Sequence, residues 1–156
     1  MTDFMIRKAA ASDAASVSLL VMGWALRDLE QPPPPEAASL LASLTPEATA
    51  NRIADAAFRY DVAVDALGVC GFIAIRDKAR LHHLFVREDA HGRGIARALW
   101  EHAKAESGSA TFTVNAALRA VPVYARFGFV ATGPARSERG LAFVPMAYPA
   151  SHARTL

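Results

Sequence analysis

Between Val86 and Leu99 the chain reads Val-Arg-Glu-Asp-Ala-His-Gly-Arg-Gly-Ile-Ala-Arg-Ala-Leu. An apolar run, Leu84-Phe85-Val86, meets a polar turn. Two glycines, Gly92 and Gly94, follow, and then Ile95 and Leu99 stand one helical turn apart. A strand, a glycine loop and a helix start in that order leave backbone N–H groups without intrahelical partners. The glycines let a ligand come close to them. The positive end of the helix dipole points the same way, so the segment suits an anion, above all a phosphate.

The known phosphate motifs differ in detail. A dinucleotide fingerprint requires Gly-x-Gly-x-x-Gly, and its third position here is Arg97. A P-loop requires Gly-Lys-Ser/Thr, which is absent. The residues do fill Gln/Arg-x-x-Gly-x-Gly/Ala, with His91, Gly94 and Ala96, His91 standing where Gln or Arg is usual. That segment resembles the pyrophosphate loop of the GCN5-related N-acetyltransferases (GNAT), which bind acetyl-CoA. Downstream, Tyr124-Ala125-Arg126-Phe127-Gly128-Phe129 resembles the family's Tyr-x-x-x-Gly-Phe, whose tyrosine faces the CoA sulfur. Asn115, after Phe112-Thr113-Val114, resembles the family's asparagine following its fifth strand. The resemblance covers about residues 60–147; residues 1–59 match only in a helix-rich layout.

The resemblance implies a cofactor site. It places acetyl-CoA against His91, Gly92, Arg93, Gly94, Ile95, Ala96 and Arg97, with Asn115 and Tyr124 beyond them. Backbone groups of Phe85 and Val86 pair with the pantetheine arm in a gap between two splayed strands. Arg93, between two glycines, is expected on a phosphate. For Arg97 a phosphate contact and a solvated helix start remain equal alternatives.

Acetyl transfer from a thioester to an amine asks the site for three things. The amine must lose a proton, the carbonyl oxygen must be stabilised, and the departing thiolate gains from a proton donor. Tyr124 suits the last role, since a phenol with a reference pKa of about 10 stays protonated at neutral pH. For the base, His82 and His83 sit in the run before Leu84 and are expected on opposite faces of their strand. His83, on the face of Phe85, and Glu88 are the candidates, beside a water chain with no dedicated base. Packing or solvent exposure is the alternative for each. His91 and His102 form no metal-ligand spacing, so no metal is expected.

The elements must place these residues. Phe4–Arg7 reads as a strand, and Ser12 or Asp13 caps a helix carrying Val17, Leu20, Val21 and Trp24 on one stripe. Pro32–Pro35 forms a stiff extended loop, either a connector or a wall of the acceptor pocket. Thr45-Pro46-Glu47 starts a second helix, expected to reach about Phe58. Strands follow at Asp61–Asp65, Val69–Ile75 and Arg80–Val86, then a helix from the loop to about Glu106. A strand at Thr111–Val114, a helix from about Pro122 to Phe127, and a hairpin of Phe129–Thr132 with Leu141–Val144 complete the order. This is a mixed α/β fold. By resemblance it is GNAT-like: a largely antiparallel sheet of about seven strands, helices on both faces, and a splayed strand pair holding the cofactor.

A chain of 156 residues with 53% hydrophobic residues suits one domain, taken as 1–156. The net charge of +2, with no run of like charges, gives no indication of nucleic acid. The one cysteine, Cys70, lies in an apolar run and reads as a small buried hydrophobe. No apolar stretch is long enough to span a bilayer and no signal peptide is evident, so a cytoplasmic protein off the membrane is expected. The function expected is acetyl-CoA-dependent N-acetyl transfer to an amine of a small molecule or peptide. A non-catalytic acyl-CoA-binding or regulatory module of the same fold is the alternative, and a homodimer is compatible with the sequence. A nucleotide-binding module is a third reading, disfavoured by the missing third glycine.

Overall fold

The computed structural model describes residues 3–149. One sheet organises them: eight strands in the order β1-β2-β3-β4-β5-β8-β6, with β7 also paired to β8. The strands are β1 (Met5–Lys8), β2 (Phe58–Asp65), β3 (Gly68–Arg76), β4 (Arg80–Val86), β5 (Phe112–Ala117), β6 (Val130–Ala131), β7 (Arg136–Glu138) and β8 (Leu141–Tyr148). The helices are α1 (Ala14–Asp28), α2 (Ala37–Ser43), α3 (Pro46–Ala54), α4 (Ile95–Ser107) and α5 (Val121–Phe127). All pairings are antiparallel except β4 with β5.

Alternation along the strands sends side chains to two layers. Ile73, Ile75 and Leu81 pack with Leu99, Trp100 and Tyr124 under α4 and α5. Tyr60, Val62, Phe72 and Ala74 pack with Val17, Val21 and Ala25 of α1 on the other face. Trp100 is fully buried against Phe112 and Phe129, with ring centroids 5.0 and 5.2 Å away. Gly71 explains how closely α4 approaches the sheet. A Cβ there would meet Phe85 O at 3.0 Å and Ile95 Cγ2 at 3.3 Å.

Several expectations change. The helix begun by Thr45, which accepts a hydrogen bond from Ala48 N, ends at Ala54 rather than Phe58. β2 then starts at Phe58, because Tyr60 and Val62 are needed in the α1-side core. The short helix α2 and the strand β7 were not expected, which makes eight strands instead of about seven. Pro32–Pro35 runs from α1 into α2, where Pro34 O accepts a hydrogen bond from Ala37 N. The loop is a brace, because Pro34 packs on Gly140 of the β7–β8 turn and Glu30 N donates to Gly140 O.

Candidate active site

The sheet opens where β4 meets β5. Their parallel pairing is limited to Arg80 with Thr113 and Leu81 with Val114. Beyond those pairs the strands separate, while β4 stays paired to β3 as far as Val86 with Gly71. Arg87 N donates to Cys70 O on β3. In a trans peptide the N–H and C=O point in opposite directions, so Val86 O points into the gap. Alternation then gives the gap the N–H and C=O of Val86 and of Leu84. Phe85 is turned the other way, its carbonyl lying against β3 beside Gly71. This corrects the expectation for Phe85: its backbone is committed to the sheet, and the edge partners are Leu84 and Val86. The Val86 carbonyl already has a partner of its own, His91 Nε2 at 2.9 Å.

At the mouth of the gap lies the glycine loop. A short turn, Glu88–Ala90, carries the chain to Gly92 and Gly94, with φ of +80° and +77°. Gly94 caps α4, and no side chain caps the helix start. Ala98 N is the first to bond back, to Gly94 O at 3.0 Å. The N–H groups of Ile95, Ala96 and Arg97 therefore open the helix without intrahelical acceptors. A Cβ at Gly94 would meet nothing within 4 Å, so the space above the loop is open.

Arg93 does not extend into that space. Its guanidinium bonds Asp3 at 2.6 Å and Asp65 at 3.1 Å. Asp65 is also bound by Arg87 at 3.0 Å, and Arg87 by Asp89. This chain of charges ties the loop to the β2–β3 turn. Arg93, expected on a phosphate, here braces the loop and is not among the residues lining the cleft. Arg97 does face the opening, with its guanidinium 5.1 Å from the Phe127 ring centre and bonded to Arg126 O at 3.1 Å. Asn115 pairs with Pro145 on the exposed side of β5, outside the cleft lining.

Gap, loop and helix start open into one cleft of about 800 Å³, walled by α1 on one side and α5 on the other. The sequence matches the Acetyltransferase (GNAT) domain over residues 29–149. The chain belongs to the GNAT acetyltransferase family. Among curated protein sequences none matches it. The fold is similar to that of a GCN5-related N-acetyltransferase from Rhodopseudomonas palustris, with TM-score 0.72 at 22% identity over 94% of this chain and 96% of that one. The PaiA N-acetyltransferase of Thermoplasma acidophilum, solved with coenzyme A, has TM-score 0.72 at 15% identity, covering 93% and 98%. A variant of the spermidine N-acetyltransferase SpeG of Vibrio cholerae has TM-score 0.65 at 18% identity, covering 99% of each chain.

Within this GNAT cleft, Tyr124 lines the wall formed by α5. The side chain is 5% exposed and edge-on to Phe127 and Phe129. Burial raises its pKa well above the ordinary 10, with no charge to oppose the shift. Burial therefore favours the neutral phenol over the phenolate.

The candidate bases separate. Glu88 stands at the rim, 84% exposed and 3.6 Å from Arg27. His83 lies against Phe72 and Phe85 and is not among the cleft residues. Burial, followed by the charges of His82 and Arg52, holds its pKa well below 6.5. His82 is not on the opposite face. Ala74 pairs with His83 and Ile75 with Leu81, so His82 is the extra residue of a bulge. Both rings lie on the α1 side.

Proposed function

We propose that the chain transfers the acetyl group of acetyl-CoA to an amine by direct attack in a ternary complex, and that residues 1–156 form one such catalytic domain. The observation that carries this reading is the coincidence, in one cleft, of the uncapped α4 N-terminus and the Tyr124 hydroxyl. The pyrophosphate fits the N–H groups of Ile95, Ala96 and Arg97, with Gly92 and Gly94 leaving room. The pantetheine arm fits the free edge of Leu84 and Val86, in competition with His91 for the Val86 carbonyl. Arg97 supplies a cation beside the phosphates.

In the transfer, the amine nitrogen bonds to the thioester carbon and the carbon–sulfur bond breaks. Tyr124 gives its proton to the leaving sulfur. Burial disfavours the phenolate, so that donation must be matched by a proton returning to Tyr124 from the amine. Glu88 lines the cleft and His83 does not. The amine arrives as an ammonium and loses two protons: the first leaves before attack on the Glu88 side, directly or through water, and the second, released as the amide forms, is the one that returns to Tyr124.

Two measurements test the reading. Calorimetry should show CoA binding well above NAD and ATP. Acetyl-CoA offered with a panel of amines should release free thiol. Gly94→Gln, with Gly94→Ala as a control carrying the same backbone strain without the bulk, should remove CoA binding selectively. Equal affinity in the two variants would sink the loop assignment. CoA binding without thiol release from any amine is the behaviour of a non-catalytic acyl-CoA module.

A further inference from the structure

The part of the cleft away from the loop has its own chemistry. Its α1 wall carries Leu19, Leu20, Gly23 and Trp24, facing Phe85 of β4. Leu19 is 76% exposed, an apolar lip on a helix whose Val17, Val21 and Ala25 are buried. Trp24 and Phe85 stand with ring centroids 5.0 Å apart, tilted by 44°. The Trp24 Nε1 atom is buried and has no hydrogen-bond partner. Trp24 is nevertheless partly exposed and lines the cleft. The surface it offers is therefore ring carbon. Leucine side chains, a glycine and two aromatic rings make this wall apolar as far as Arg27, its one charged residue.

Charge is distributed just as unevenly. The described residues lining the cleft include five arginines, Arg27, Arg87, Arg97, Arg119 and Arg126, and one carboxylate, Glu88. That carboxylate is shared with Arg27 at 3.6 Å. Arg119 is engaged by Asp28 at 2.5 Å. A single ammonium can sit beside Glu88. A second ammonium on the same molecule would meet arginines and no acid, and desolvating it unpaired is costly.

We propose that the acceptor is a monoamine with an aryl or branched alkyl body. Its amine is received at Glu88 and its body lies on the Trp24–Phe85 wall. This rests on the acetyltransferase reading above and names its substrate class. Polycationic amines are excluded by the lack of acids.

The test uses the whole chain and four probes: phenethylamine, isoamylamine, putrescine and spermidine. Calorimetry on CoA-loaded protein reads binding, and thiol release from acetyl-CoA reads transfer. The apolar monoamines should bind at least tenfold more tightly than spermidine and be acetylated with higher kcat/KM. Trp24→Ala should raise the KM of phenethylamine about tenfold, as loss of an aromatic contact does, and leave CoA affinity unchanged. Trp24→Phe should restore most of the loss, which separates wall chemistry from misfolding. Arg27→Glu, on an exposed helix position, adds a second acid. It should raise kcat/KM for spermidine about two- to fivefold.

Tighter binding or faster turnover of spermidine in the parent protein would overturn the inference while leaving acetyl transfer intact. Tight binding of the monoamines with no thiol release would retire the transfer reading and keep the apolar pocket. Binding by none of the four amines would overturn the inference. So would a Trp24→Ala variant, folded by its melting curve, with an unchanged phenethylamine KM.

Discussion

The imidazole rings of His82 and His83, neighbours along β4, lie with centroids 4.2 Å apart on the same side of the sheet. A regular strand would point them to opposite faces. The bulge between the Ala74 and Ile75 pairings removes the alternation at this one place. His82 comes to rest edge-on to Phe58, at 5.3 Å, and His83 beside Phe85, at 5.6 Å. Two titratable rings thus share the α1-side core, at the foot of the strand that leads into the cleft.

Their consequence is a pH-dependent stability. Burial, then the charges of Arg52, Arg76 and Arg80, pushes the His82 pKa down to about 4. His83 is also held well below its ordinary value, first by burial. The unfolded chain therefore binds more protons than the folded one between pH 6.5 and 4. Stability must fall as pH falls through that window and be complete above it. Asp13, held low by Arg7, adds to the loss only at more acid pH. Calorimetric Tm should drop steadily from pH 7 to pH 4.5. His82→Phe keeps the ring against Phe58 and cannot be protonated, so its Tm should depend less on pH. An unchanged slope would mean that another group carries the effect.

Tyr124→Phe keeps the ring and its edge contacts with Phe127 and Phe129 and removes only the hydroxyl. We expect kcat to fall about 10²–10⁴-fold, the usual worth of general acid catalysis, with CoA affinity little changed. Because burial raises the phenol pKa, no activity loss from tyrosine ionisation should be seen up to at least pH 10. Near-normal turnover would mean that thiolate departure is not limiting, or that Tyr124 only packs. A series of acyl thioesters with different leaving groups separates these.

Arg93 offers a sharper choice between contact and brace. If it holds the loop through Asp65, Arg93→Gln and Asp65→Asn should weaken CoA binding by similar factors. The double variant should then be little worse than either alone, since both remove the same 3.1 Å pair. A direct phosphate ligand would behave differently. Asp65→Asn would then free Arg93 and leave CoA binding unchanged or tighter. Titration of the three variants with CoA decides between them.

The glycine loop was legible in the sequence because its chemistry is local. Gly92, Gly94 and the apolar Ile95–Leu99 spacing are enough to fix a strand, a left-handed turn and a helix start. The gap between β4 and β5 was legible only through resemblance. What was missed depends on distant partners. The bulge at His82 follows from the register of β3. Asp65 meets Arg93 across 28 residues, and nothing in Asp65-Ala66-Leu67-Gly68 beyond a turn signal marks it as a brace. Pairing alternation decides that Leu84, not Phe85, shares the free edge with Val86. α2 escaped because Ala37-Ala38-Ser39-Leu40-Leu41-Ala42-Ser43 carries little amphipathic contrast beside its prolines. Acid-poor walls are legible only once α1 and the Glu88 turn face each other.

The Pro32–Pro35 loop packs on the β7–β8 turn through Pro34. A flexible replacement of Pro32–Pro35 would raise the acceptor KM if the loop walled the pocket. None of the four lines the cleft. Their contact is with the β7–β8 turn, where Gly140 has φ +85° and Pro34 Cδ would lie 2.8 Å from an added Cβ. Leu29 Cδ2 would lie 3.0 Å away on the other side. A proline ring cannot swing aside as a long side chain can, so Gly140→Ala combines left-handed strain with overpacking. We expect a loss of about 2–4 kcal/mol, or roughly 5–12 °C in Tm for a domain of this size. Pro34→Ala in the same background should recover part of that loss by relieving the clash while leaving the backbone strain. Through all three variants the acceptor KM and the CoA affinity should stay within about twofold of the parent, because the brace lies outside the cleft. A rise in acceptor KM without a fall in Tm would move the loop back to the pocket wall.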